Sequence, residues 1–133
     1  MNNFLYRIAV AWVGLATYSV QAEQVVINEV MYNPRGDAPE WIELSNITAT
    51  PFDIAGWKLR GDVELDFPSF DGNRADDAFL GHWQKIILTD IEPGLFRQQH
   101  GIPTSVRVFG PWAGSLPNEG GRIMVKDKNG VQV

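Results

Sequence analysis

Asn28 and Glu29 stand inside an otherwise apolar run, "VVINEVMYNP", that Pro34 closes. An amide beside a carboxylate can coordinate a cation or hold a polar ligand. It can equally pin a strand, with the amide holding a bend and the carboxylate accepting hydrogen bonds from a neighbour, since a half-buried carboxylate without partners is costly. The pinning role is the expectation here. A second acidic group comprises Asp62, Glu64, Asp66, Asp71, Asp76 and Asp77. Within it, "DGNRADD" offers Asp71, Asn73, Asp76 and Asp77 as the oxygen ligands calcium prefers. The segment lacks the D-x-[DN]-x-[DN]-G spacing of the helix–loop–helix calcium site. A solvated acidic loop is therefore expected, and Ca2+ is the one cofactor left open.

For catalysis the residues offer little. His82 and His100 share no motif, and the chain contains no G-x-S-x-G, no H-E-x-x-H and no phosphate-binding loop. Glu40 and Glu43 could act as an acid–base pair, but residues three apart on a strand point to opposite faces. The chain reads as a non-enzyme. Four tryptophans follow the first 22 residues: Trp41, Trp57, Trp83 and Trp112. Exposed indoles could form a carbohydrate-stacking platform, whereas buried ones fill a core with each N–H given a partner. Trp57, after "AG", reads as core. Trp41 and Trp112 are the candidate binding residues. Trp112 lies in "GPWAG", where a packed lid and an exposed contact both remain open. Asn46-Ile47-Thr48 fits a glycosylation sequon, of consequence only in a eukaryotic secretory host.

The elements that must position these residues are short strands. Residues 25–32 form the first. In "EWIELSN", residues 40–46, Ile42 and Leu44 face one way and Trp41 and Glu43 the other. "DIAGWKL", residues 53–59, puts Trp57 and Leu59 on one face. "ELDFPSF" is a weak strand cut by Pro68. "HWQKIILTD", "SVRVFG" and "GRIMVKDKNG" follow, the last ending in a hairpin turn whose Asn-Gly pair suits positive φ. A helix is expected at most for one or two turns within residues 92–101, with Leu95 and Phe96 inward and Gly101 as the stop. Short strands with a turn roughly every ten residues describe a β-sandwich. Only Val131, Gln132 and Val133 remain for the strand returning after "KNG", where about five residues are usual. The expectation is a truncated piece of a longer protein.

Residues 1–22 read as a secretory signal peptide, with a positive Arg7, an apolar run over residues 8–16 and small residues at Val20 and Ala22. That run is shorter than the ~20 residues a bilayer span requires, so no transmembrane anchor is expected. Residues 23–133 then form one domain. The whole chain carries a net charge of −5, and loss of Arg7 makes it more negative still. Such a field repels a phosphate backbone and disfavours nucleic acid as the main partner. There are no cysteines, which excludes disulfides and thiolate metal sites and, in an exported chain, favours a bacterial secretory route.

The order of "INEVMYNP" (27–34), "EWIELSN" (40–46), "FDIAGWKL" (52–59) and "VFGPWAGSLPNEGGRIMVKDKNG" (108–130) resembles the lamin tail domain. The resemblance implies an all-β, immunoglobulin-like β-sandwich, here with its last strand short or absent. It places Asn28, Glu29, Pro34, Glu40, Glu43, Asn46, Asp53, Gly56 and Trp57 in the structural motif. The acidic insertion at residues 60–78 departs from the family pattern. The family implies a binding or structural module that contacts proteins, and in exported versions accompanies larger enzymes or surface proteins. The resulting expectation is an exported, non-catalytic module, secreted or periplasmic, that contacts a protein or cell-surface component as the N-terminal part of a larger extracellular protein. The alternatives are a carbohydrate-binding module and the accessory domain of an exported hydrolase or nuclease.

Overall fold

The computed structural model of the chain describes residues 24–69 and 79–133. In chain order the elements are β1 (Val25–Met31), β2 (Trp41–Asn46), β3 (Phe52–Asp53), β4 (Lys58–Gly61), β5 (Val63–Asp66), β6 (Phe79–Leu80), β7 (Lys85–Thr89), α1 (Pro93–His100), β8 (Arg107–Phe109), β9 (Ala113–Gly114) and β10 (Ile123–Lys126). The acidic ligand candidates Asp71, Asn73, Asp76 and Asp77 lie outside the described residues, as does the segment 1–22.

Two four-stranded sheets, β1-β2-β7-β8 and β10-β4-β5-β9, face one another, and β3 pairs with β6. The alternation in β2 decides what fills the space between them. Ile42 and Leu44 point inward and join Ile86 and Leu88 of β7, meeting Leu59, Val63 and Val125 of the opposite sheet in the main core. Trp57, Phe67, Trp112 and Leu116 complete that core from the connecting segments. Burial of each such side chain contributes about 1.5–3 kcal/mol. This is an open immunoglobulin-like β-sandwich held by apolar packing.

β7 is apolar on both faces because both faces are covered. Its opposite face presents Ile87, which packs with Phe96 of α1 and Val108 of β8 in a second cluster, with Trp41 at its border. β7 and β8 run parallel, which requires a crossover, and α1 supplies it. The helix has the two turns its sequence permits. Glu92 caps it through Oε2, which accepts from the Leu95 amide at 2.9 Å, and Pro93 opens it where no amide hydrogen is needed. Gly101, at φ 63°, ends it. Of the two residues expected inward, Phe96 is 1% exposed and Leu95 is 45% exposed. Successive helical residues lie about 100° apart, so an eight-residue helix with a narrow contact stripe buries one of the two.

Two strand expectations change. Residues 53–59 are not one strand: Asp53 Oδ1 accepts from the Ala55 amide at 3.0 Å, Gly56 sits at φ 69°, and the Trp57 amide donates to the Ile54 carbonyl. This turn separates β3 from β4, and "DIAG" carries its chemistry. Residues 82–84 likewise belong to a turn ahead of β7. At the end of the chain the hairpin forms with positive φ at Gly130, held by Asp127 Oδ1, which accepts from the Asn129 and Val131 amides. The return has one bridge, Lys126 with Gln132, flanked by the Asp127 amide donating to the Val131 carbonyl at 2.8 Å and the Val133 amide donating to the Val125 carbonyl at 3.0 Å.

Candidate functional site

Asn28 is the extra residue of a β-bulge: the β1–β2 register shifts between Ile27 and Glu29. A bulge sets two residues against one and bends the strand. Glu29 thus faces Glu43 across the ladder, a like-charge pair that costs energy unless screened. The Glu43 carboxylate is screened from both sides. Asn28 Nδ2 donates to its Oε1 at 2.6 Å, and Lys85 Nζ lies 2.8 Å from the same oxygen. Glu29 itself is exposed rather than half-buried, because the bulge tilts it toward solvent. Asn28 and Glu29 therefore do not converge on a ligand.

Glu40 and Glu43 lie on different duties. Glu40 Oε2 accepts from the Leu116 amide at 2.9 Å, and its carbonyl accepts from Thr89 Oγ1 at 3.0 Å. The first ties the 110–116 segment to Glu40, and the second ties Glu40 to β7. Asn46 is wholly buried and joins three segments. Its Nδ2 donates to the carbonyls of Thr50, Leu80 and Gly81 at 2.8, 3.1 and 2.9 Å. Its Oδ1 accepts from the Thr48 amide and hydroxyl, both at 2.9 Å. An amide has two hydrogens and two lone pairs, so this side chain is saturated and leaves nothing for a ligand or a glycan. Asp53 and Gly56 form the turn already described, and Trp57 is core.

Trp112 is 6% exposed and lies in the main core, so "GPWAG" is a packed lid. Its ring offers no face to a ligand. Its Nε1 is buried without a hydrogen-bond partner among the described residues, which departs from the rule that a buried indole finds one. Among the described residues no three acidic or histidine side chains gather closely enough to hold a metal ion.

Trp41 differs. It is half-buried, with one side against the α1 cluster and the other in an open cleft of about 420 Å³ lined by Met31, Asn33, Pro34, Arg35, Pro39 and His100. The His100 ring stacks on Phe96 at 4.4 Å, which fixes one wall. Trp41, Met31 and the prolines make an apolar floor, and Arg35 sets an exposed guanidinium at the rim. Pro34, three residues past the end of β1 at Met31, lines the cleft. The residues missed by sequence reading are Arg35 and His100. They lie far apart in sequence and in unrelated segments, so no local signal could pair them.

An open two-sheet sandwich in which Glu40, Asn46 and Asp53 are engaged with the backbone is an immunoglobulin-like structural or binding module. The comparison with protein families agrees: residues 19–100 match the Lamin Tail Domain, and the chain belongs to that family. No curated protein matches it. Among the described residues, no helix is long and apolar enough to cross a membrane.

Proposed function

We propose that the chain is exported and serves as the N-terminal contact module of a larger extracellular protein, with the Trp41 cleft receiving an acidic, extended segment of a partner protein. The cleft carries this reading. Its floor suits an apolar side chain, and no carboxylate lines it. The Arg35 guanidinium, as distinct from its carbonyl, which accepts from the Ala38 amide, has no hydrogen-bond or ion-pair partner among the described residues, in a chain whose net charge is −5. A guanidinium recognises a carboxylate in a planar, two-pronged geometry. Such a pair at an exposed rim contributes about 0.2–1 kcal/mol, so it selects the partner's charge while the apolar floor supplies most of the contact. Export rests on the signal-peptide pattern of residues 1–22.

Two measurements test it. The full chain, expressed in a bacterial host, is recovered from the exported fraction and its N-terminus sequenced. A start at Glu23 supports export, and an uncut chain retained in the cytoplasm opposes it. A fluorescein-labelled Glu-rich peptide bearing one Leu is then titrated against the protein. Binding that is lost on Arg35→Glu supports the cleft, and equal binding of a Lys-rich peptide removes it.

A further inference from the structure

We propose that Trp83 is a carbohydrate-stacking contact, displayed at the opposite end of β2 from the cleft. Trp83 is 65% exposed and sits at φ 58°, while every other positive-φ position among the described residues is a glycine. A side chain in the left-handed region costs backbone energy that glycine or asparagine avoids. Single exposed apolar residues are common on protein surfaces. An indole held in a left-handed turn, in a chain that otherwise uses glycine there, is not. Strain of this kind persists only where the surroundings over-determine it.

The surroundings do so. The Gln84 amide donates to the Gly81 carbonyl at 3.1 Å, and Gln84 Oε1 accepts from the Gly81 amide at 2.8 Å. Beneath them, buried Asn46 donates to the carbonyls of Leu80 and Gly81, and its own amide donates to the Gln84 carbonyl at 3.0 Å. The turn is thus locked from both sides, and the ring projects from a fixed base. A pre-set aromatic surface loses little entropy on binding.

The ligand class follows from the ring's neighbours. His82 and Gln84 flank Trp83 and are both exposed. They offer ring nitrogens and an amide, Gln84 Nε2, to hydroxyl groups. An exposed apolar ring with exposed donors and acceptors on the adjoining residues suits a pyranose, which has an apolar C–H face and an equatorial rim of hydroxyls. A protein hot spot instead centres its Trp in a packed, desolvated pocket. Stacked nucleobases would bring phosphates into an acidic field. The contact goes beyond the proposed function and is independent of the Trp41 cleft.

The test uses the full exported chain in affinity electrophoresis through soluble β-glucan and xylan, and in pull-down with insoluble cellulose, chitin and peptidoglycan. Wild type is retained by at least one of these, and Trp83→Asn weakens retention at least tenfold. The same substitution leaves Tm unchanged or raises it by up to about 5 °C, because asparagine tolerates the left-handed region. Arg35→Glu leaves retention intact and abolishes only acidic-peptide binding, so the two sites fail separately. No retention of wild type on any polysaccharide overturns the proposal. So does retention insensitive to Trp83→Asn, or a Tm loss of several degrees, which would mean the ring packs structurally. Equal retention on gelatin-coated resin would indicate a protein contact and also overturn it.

Discussion

β2 ends differently at its two termini. At Asn46 a single buried amide makes five hydrogen bonds to two segments, residues 48–50 and 80–81, and the turn above it is fixed. At Trp41 the strand leaves an aromatic half-covered, beside an open cleft and an arginine whose guanidinium has no partner among the described residues. Both ends lie on one rigid strand whose intervening Ile42 and Leu44 anchor the core. Saturated polar groups specify structure and leave no capacity for a ligand. Unsaturated ones at a rim keep that capacity at little cost to stability.

This difference can be broken experimentally, starting where the effect is largest. Asn46→Ala removes the buried side-chain donor from the Leu80 and Gly81 carbonyls, of which Gly81 keeps the Gln84 amide, and should cost about 3 kcal/mol in urea unfolding. A loss no greater than that of an exposed polar substitution would refute the hub. Trp41→Ala removes half of an aromatic's packing against Phe96 and Ile87 and should cost about 2 kcal/mol. It should also remove peptide binding, which calorimetry and titration report separately. Glu40→Gln keeps an acceptor for the Leu116 amide but loses its charge, so about 1 kcal/mol is expected. A neutral outcome would show that the 110–116 segment is held by Trp112 and Leu116 alone. Asn28→Ala should cost about 0.5 kcal/mol, since its partner Glu43 keeps Lys85. Arg35→Ala should leave stability unchanged within about 0.5 kcal/mol while weakening acidic-peptide binding.

The legible parts of the fold were those encoded within a few residues. Ile42 and Leu44 alternate with Trp41 and Glu43, and that period assigns the faces of β2 without tertiary information. Asp53, Gly56 and Asn46 belong to motifs whose order resembles the family now matched, and their short-range bonds repeat what their residue types favour. Other features depended on packing at a distance. The bulge at Asn28 needs β2 beside it, so "INEV" reads as an ordinary strand until its partner is known. Leu95 and Phe96 are both apolar, and only the position of β8 and Ile87 chooses between them. The cleft joins Arg35 to His100 across the fold, and no spacing in the chain announces that meeting.

The tryptophans mark the same boundary. Residue type alone establishes that each carries a large apolar ring and one donor, and local context places Trp57 after a turn and into the core. Whether the other rings meet protein or solvent was decided by tertiary structure. Trp112 is drawn under a lid because the Leu116 amide reaches the Glu40 carboxylate and the Trp112 amide reaches the Thr89 carbonyl. Trp83 is held outward because its turn is bolted to Asn46 from below. Local sequence sets what a side chain can offer. Long-range hydrogen bonds and packing decide which face of it is left for another molecule, since burial depends on everything that comes near in space.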